Sequence, residues 1–153
     1  MNAPPEKIEE DLLQQVIDRF WESIPPVWAH IRDNVRQTAE DAFGISVEQF
    51  QVLRLIRKGV RSVSELADSR RISRPAISQS VDVLVEKGLI SRHTSQTDRR
   101  FIGLELTPTG STMLEAIFEK NHEWMRSQLA ELTPEELQDV LRGIKVLRKT
   151  FID

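Results

Sequence analysis

Between Arg74 and Asp82 the chain reads Arg-Pro-Ala-Ile-Ser-Gln-Ser-Val-Asp. Wound into a helix, this stretch puts Arg74, Pro75, Ser78, Gln79 and Asp82 on one side, with Ile77, Val81, Leu84 and Val85 on the other. A slim polar face that can donate and accept hydrogen bonds suits the major groove of duplex DNA. Base edges there are read by Arg, Gln and Ser, and by small apolar contacts to thymine methyls. A second candidate follows at Asp98-Arg99-Arg100. Arginines at a hairpin tip reach the minor groove, where narrow A·T-rich stretches concentrate negative potential. Asp98 can hold one of them from behind in a charge-assisted pair. Which arginine enters the groove is left open by the sequence. Ser64 and Ser73, near the starts of two successive helices, complete the candidate DNA-binding set.

Other chemistry finds no footing. The three histidines, His30, His93 and His122, are scattered over different elements, and cysteine is absent. Metal ligands come at i, i+3 or i+4 or in clusters, and thiolate sites need Cys, so no metal and no cofactor are expected. There is no glycine-rich phosphate loop, no nucleophile elbow and no His-Glu-x-x-His, and no catalytic residue is assigned.

The elements that must position the candidate residues can be read from periodicity and caps. Ile8, Leu12, Leu13, Val16, Ile17, Phe20 and Trp21 mark an amphipathic helix over 5–23. Pro25-Pro26 predict a break or sharp kink, with a second helix over 27–41. Gly44 suits a helix end and Ser46 a new start; Phe50, Leu53 and Ile56 face inward from a helix over 47–58 that Gly59 ends. Ser62-Val63-Ser64-Glu65 has the spacing of a capping box for a short helix over 63–69. Ser73 caps the next helix, with Pro75 tolerated in its first turn. After Gly88 the apolar period drops to two, so 89–94 and 101–106 are strands of a hairpin whose tip is basic. Helices return from Pro108, and Thr133-Pro134-Glu135-Glu136 opens the last, with Leu137, Val140, Leu141, Ile144, Leu147 and Phe151 on one face.

Two short helices in tandem followed at once by a hairpin describe a winged helix-turn-helix. The fold class is therefore mainly α with a minor β component. At 153 residues the chain is long enough for one domain with a core. The net charge of −3 conceals a contrast: from Arg54 to Arg100 eleven basic side chains face five acidic ones, and the remainder is acidic. A basic centre on an acidic frame fits a polyanion partner. No apolar run is long enough to span a membrane and the start is acidic, so a cytoplasmic location with no membrane partner is expected.

The runs "FGISVEQFQVLRLI", "SVSELAD", "ISRPAISQSVDVLVEKGLISR" and "DRRFIGLELTPTG" resemble the MarR (multiple-antibiotic-resistance regulator) family in order and spacing, over roughly 43–110. The resemblance implies a homodimeric transcription regulator, usually a repressor, on a pseudo-palindromic operator of double-stranded DNA, often released by a small aromatic effector. It also implies dimerisation helices at 1–42, of which 1–23 form an added arm, a DNA-binding domain at 43–107 and further dimerisation helices at 108–153. By motif position Arg74, Pro75, Ser78 and Gln79 take the recognition role and Arg99 and Arg100 the wing role. The family's effector pocket would fall near Trp28, Ile31, Arg32 and Phe50. Three features depart from the pattern: Arg70-Arg71 stand where a leucine and a glycine are usual, Ser80 replaces a common leucine, and Pro25-Pro26 interrupt the N-terminal helices. Two other readings stay open, a winged-helix module that binds a protein partner and a non-specific DNA-binding protein. An enzyme-like ligand binder on the same scaffold is opposed by the missing catalytic constellation.

Overall fold

The computed structural model describes residues 5–94 and 102–152. Along the chain run α1 (Pro5–Gln37), a π-helical turn (Thr38–Ala42), α2 (Val47–Arg57), α3 (Val63–Arg70), α4 (Arg74–Glu86), β1 (Ile90–Thr94), β2 (Ile102–Leu106), α5 (Pro108–Leu129) and α6 (Pro134–Phe151). These divide into two compact units, Met1–Leu114 and Glu115–Asp153.

In the first unit the core gathers the inward faces of α2, α3, α4 and the hairpin. Phe50, Leu53 and Ile56 from α2, Leu66 and Ala67 from α3, Ile77, Val81 and Leu84 from α4, and Leu89, Ile90 and Leu104 are all buried. The inward face expected for α4 holds except at Val85, which is half-buried. β1 and β2 pair antiparallel with Ile90 opposite Leu106 and Thr94 opposite Ile102. Leu104 also donates its backbone N–H to the Arg61 carbonyl at 2.8 Å, which ties the hairpin to the segment before α3.

Three helix ends share one device. After α2, α3 and α4 the chain closes with the paired backbone bonds of a Schellman motif, Val60 to Leu55 with Gly59 to Ile56, Ile72 to Ala67 with Arg71 to Asp68, and Leu89 to Leu84 with Gly88 to Val85. The motif needs a left-handed residue, supplied by Gly59 and Gly88 in two cases and by Arg71, at φ 54° and ψ 41°, in the third.

Of the break or sharp kink expected at Pro25-Pro26, the break is absent: α1 runs as one helix through both prolines. Each proline costs its own N–H and crowds the carbonyl four residues back. Those carbonyls belong to Trp21 and Glu22, on an exposed stretch of helix open to solvent, so the lost bonds leave no polar group buried. A π-helical turn follows α1. Its extra residue per turn carries Ala39 into the core, and Ile45 N–H closes back onto the Ala39 carbonyl at 3.1 Å.

In the second unit α6 opens with the expected box: the Thr133 side chain accepts from Glu136 N–H, and the Glu136 carboxylate accepts from Thr133 N–H at 2.8 Å. None of its residues is buried, and Leu137, Val140, Leu141, Ile144 and Phe151 lie open along it. No helix among the described residues is long and apolar enough to cross a membrane.

Candidate nucleic-acid interface

The platform for the candidate interface is α3 followed by α4. α3 starts in a capping box, with the Ser62 side chain accepting from Glu65 N–H at 3.2 Å and the Glu65 carboxylate accepting from Ser62 N–H at 3.1 Å and Arg61 N–H at 2.9 Å. The Arg61 amide, aided by Ser62, holds the Glu65 carboxyl below its ordinary 4.5, against a smaller opposing effect of burial. Ser64 sits half-buried in the first turn of this helix.

Ser73 holds the N-cap position of α4 as expected, but its side chain makes no capping bond. Of the two backbone donors an N-cap side chain can use, the one at N2 is missing because Pro75 has no N–H, and Ala76 at N3 has no side chain to complete a reciprocal box. Pro75 occupies the first turn. Arg74, Pro75 and Gln79 are exposed, Ser78 is half-buried, and Ile77, Val81 and Leu84 on the far side are wholly buried. One side of α4 thus anchors the helix and the other presents the polar set.

Asp82 is exposed on this face but already paired. Its carboxylate accepts from the Arg92 guanidinium of β1 at 2.5 Å. The turn between α3 and α4 is likewise repacked. Arg70 forks onto the Glu48 carboxylate of α2 through Nε at 3.3 Å and Nη2 at 3.1 Å, so it interlocks two helices. Arg54 is engaged too, bonded to Gln51 at 3.0 Å and lying 5.7 Å over the Phe50 ring. The basic surplus of this segment is therefore partly structural. Sequence periodicity carries no signal for Arg92–Asp82 or Arg70–Glu48, because the partners sit on different elements.

Asp98, Arg99 and Arg100 lie outside the described residues. The strands leading to them are in place, and on the outer side of the hairpin Ser91 and His93 approach each other at 2.9 Å, with Glu105 3.4 Å from His93.

Of the residues considered for an effector pocket, Trp28 and Arg32 are exposed on α1, Ile31 is half-buried, and Phe50 belongs to the core. A separate cavity of about 300 Å³ is lined by Ile56, Arg57, Arg61, Glu105 and Leu106. Among the described residues no group of three His, Asp or Glu side chains converges as a metal site would require.

Residues 43–100 match the profile of the MarR family. An uncharacterised HTH-type transcriptional regulator of Bacillus subtilis, YfiV, is 30% identical over 108 residues, which cover 70% of this chain and 68% of that protein. The B. subtilis HTH-type transcriptional repressor MdtR is 34% identical over 95 residues, 61% of either chain. In fold the chain is similar to a mutant of S. aureus MepR bound to an oligodeoxyribonucleotide, with a TM-score of 0.68, 19% identity, and coverage of 86% of this chain and 96% of that one.

Proposed function

Since the chain belongs to the MarR family of winged helix-turn-helix transcription regulators, whose members are regulators and not enzymes, we propose that it is a homodimeric repressor of a pseudo-palindromic DNA operator. The observation that carries this reading is α4 itself, buried along Ile77, Val81 and Leu84 and open along Arg74, Pro75 and Gln79. In this reading Arg74, Ser78 and Gln79 meet base edges, with Pro75 against thymine methyls. Ser64 and Ser73 contact phosphates from the helix starts. Arg99 and Arg100 hold the minor groove, with Asp98 behind them.

Two open apolar stripes support self-association. One runs along α1 through Leu12, Leu13, Val16, Ile17, Trp21 and Trp28, and the other along α6 through Leu141, Ile144 and Phe151. A monomer gains nothing by leaving such stripes in water. A two-fold dimer would set its two α4 helices about 34 Å apart, one turn of DNA, and so prescribe a pseudo-palindrome. Release by a small aromatic molecule would act on that spacing, through a pocket that includes Trp28, Ile31, Arg32 and Phe50. The repressor named MdtR, similar over much of the chain, supports repression as the sign of regulation.

Fluorescence anisotropy against duplexes from the DNA flanking the coding region tests the reading. Wild type is expected to prefer one such duplex over random sequence. The Arg74→Ala/Arg100→Ala variant should lose roughly tenfold or more of that affinity. Equal binding of flanking and random duplex by wild type and variant at moderate salt refutes it.

A further inference from the structure

On β1 side chains alternate, so Ile90 and Arg92 share one face of the hairpin and Ser91 and His93 the other. Ile90 is buried, and so is Leu104, the residue directly opposite Arg92. Arg92 therefore occupies a position whose neighbours face the core. Its guanidinium escapes along the strand to Asp82 on α4, ten residues earlier. Asp82 in turn is a carboxylate on the polar side of α4 that also holds Arg74, Pro75, Ser78 and Gln79, with the exposed Glu86 one turn further on. A bare carboxylate on that side would be repelled by phosphate.

We propose that Asp82 and Arg92 are a positioning pair that fixes the base of the wing against the recognition helix and so sets the angle at which the two contact DNA. The proposal rests on the DNA-binding reading for its purpose, and on the structure alone for the latch. Both side chains keep more than a third of their surface in water, 37% for Arg92 and 53% for Asp82. An ion pair so exposed adds little to global stability, so its value lies in direction. From Arg92 only two residues of β1 remain before the segment that carries Arg99 and Arg100. A strand free to pivot at Arg92 would carry a larger displacement further out.

The test is a double-mutant cycle of Asp82→Asn and Arg92→Gln, with the charge-exchanged Asp82→Arg/Arg92→Asp protein as rescue. In the free protein, hydrogen exchange of the β1 amides should accelerate in either single variant while the melting temperature stays near that of wild type. On DNA, each single variant should lose about threefold to tenfold in the ratio of specific to random affinity, the double variant should lose no more than either, and the exchanged pair should recover most of it. A purely electrostatic role would instead make Asp82→Asn bind all duplexes more tightly, with the ratio unchanged and the losses additive. That pattern, or unchanged β1 exchange, overturns the proposal. A wild type without any duplex preference, with β1 exchange still responding to the mutations, defeats the DNA-binding reading and leaves the latch standing.

Discussion

Gly110, in the first turns of α5, is where the sequence permits least. A β-carbon built on it would lie 2.1 Å from the Leu89 carbonyl oxygen, 2.9 Å from the Leu89 carbonyl carbon and 3.2 Å from its α-carbon. An ordinary carbon-to-oxygen contact is about 3.3 Å or more, so Gly110→Ala forces a backbone shift of about 1 Å. That shift falls on a closed set of bonds. Thr107 N–H donates to the Leu89 carbonyl at 3.1 Å, the Thr107 hydroxyl donates to the Gly88 carbonyl at 2.6 Å, and Gly110 N–H donates to the Thr107 hydroxyl at 3.0 Å. Losing two of these costs about 2 kcal/mol. Displacing Leu89, which is buried, adds about 1 to 3 kcal/mol of strain. The better helix propensity of alanine returns about 1 kcal/mol. The expected net loss is about 2 to 4 kcal/mol, read by urea unfolding followed by circular dichroism at one fixed protein concentration. Gly143→Ala in α6 is the control, since nothing lies within 4 Å of its would-be β-carbon, and it should gain about 1 kcal/mol if self-association is unchanged. A Gly110→Ala protein within about 0.5 kcal/mol of wild type refutes the close-approach reasoning.

Arg71 takes the left-handed position that Gly59 and Gly88 fill elsewhere. Arg71→Gly should therefore be neutral to about 1 kcal/mol stabilising, and Arg71→Val should lose about 1 to 2 kcal/mol, both by chemical denaturation; a tolerated valine contradicts the assigned backbone. The capping carboxylates Glu65 and Glu136 are both held below their ordinary value, Glu65 by Arg61 N–H first and Glu136 by Thr133 N–H first. Their stabilisation is complete above the ordinary carboxylate pKa and is lost as pH falls through it towards the lowered folded values. Melting temperature followed from about pH 7 to about pH 3 should decline less steeply in Glu65→Gln than in wild type, and identical slopes refute this. Leu141→Asp/Ile144→Asp puts two charges on the open stripe of α6, and light scattering after size exclusion should show wild type at the mass of the proposed dimer and the variant at that of a monomer. An intact dimer removes this stripe from the interface.

Much of the fold was legible because its signals are local. The boxes at Ser62 and Thr133, the strand period after Gly88 and the stripes of α2 and α4 depend on residues within a turn or two of one another, and α2, α3, α4 and the hairpin formed as those signals prescribe. Pro25-Pro26 misled for a related reason. Proline reports only the bonds it removes, whereas the exposure of Trp21 and Glu22 decides whether water can replace them. The Arg70-Arg71 departure announced a change in the turn without saying which, and the outcome split. Arg70 went to Glu48, and Arg71 into the left-handed corner.

By itself, then, the sequence determined which helix carries the Arg, Ser and Gln face, because amphipathic spacing sorts side chains by element. The tertiary structure alone decided which charges on that surface are already spent. Arg70, Arg92 and Asp82 read as surface charge along the chain, and each finds its partner on another element. Ion pairs form where folding brings two chain segments within a few ångströms, and sequence separations of 22 and 10 residues leave no periodic trace.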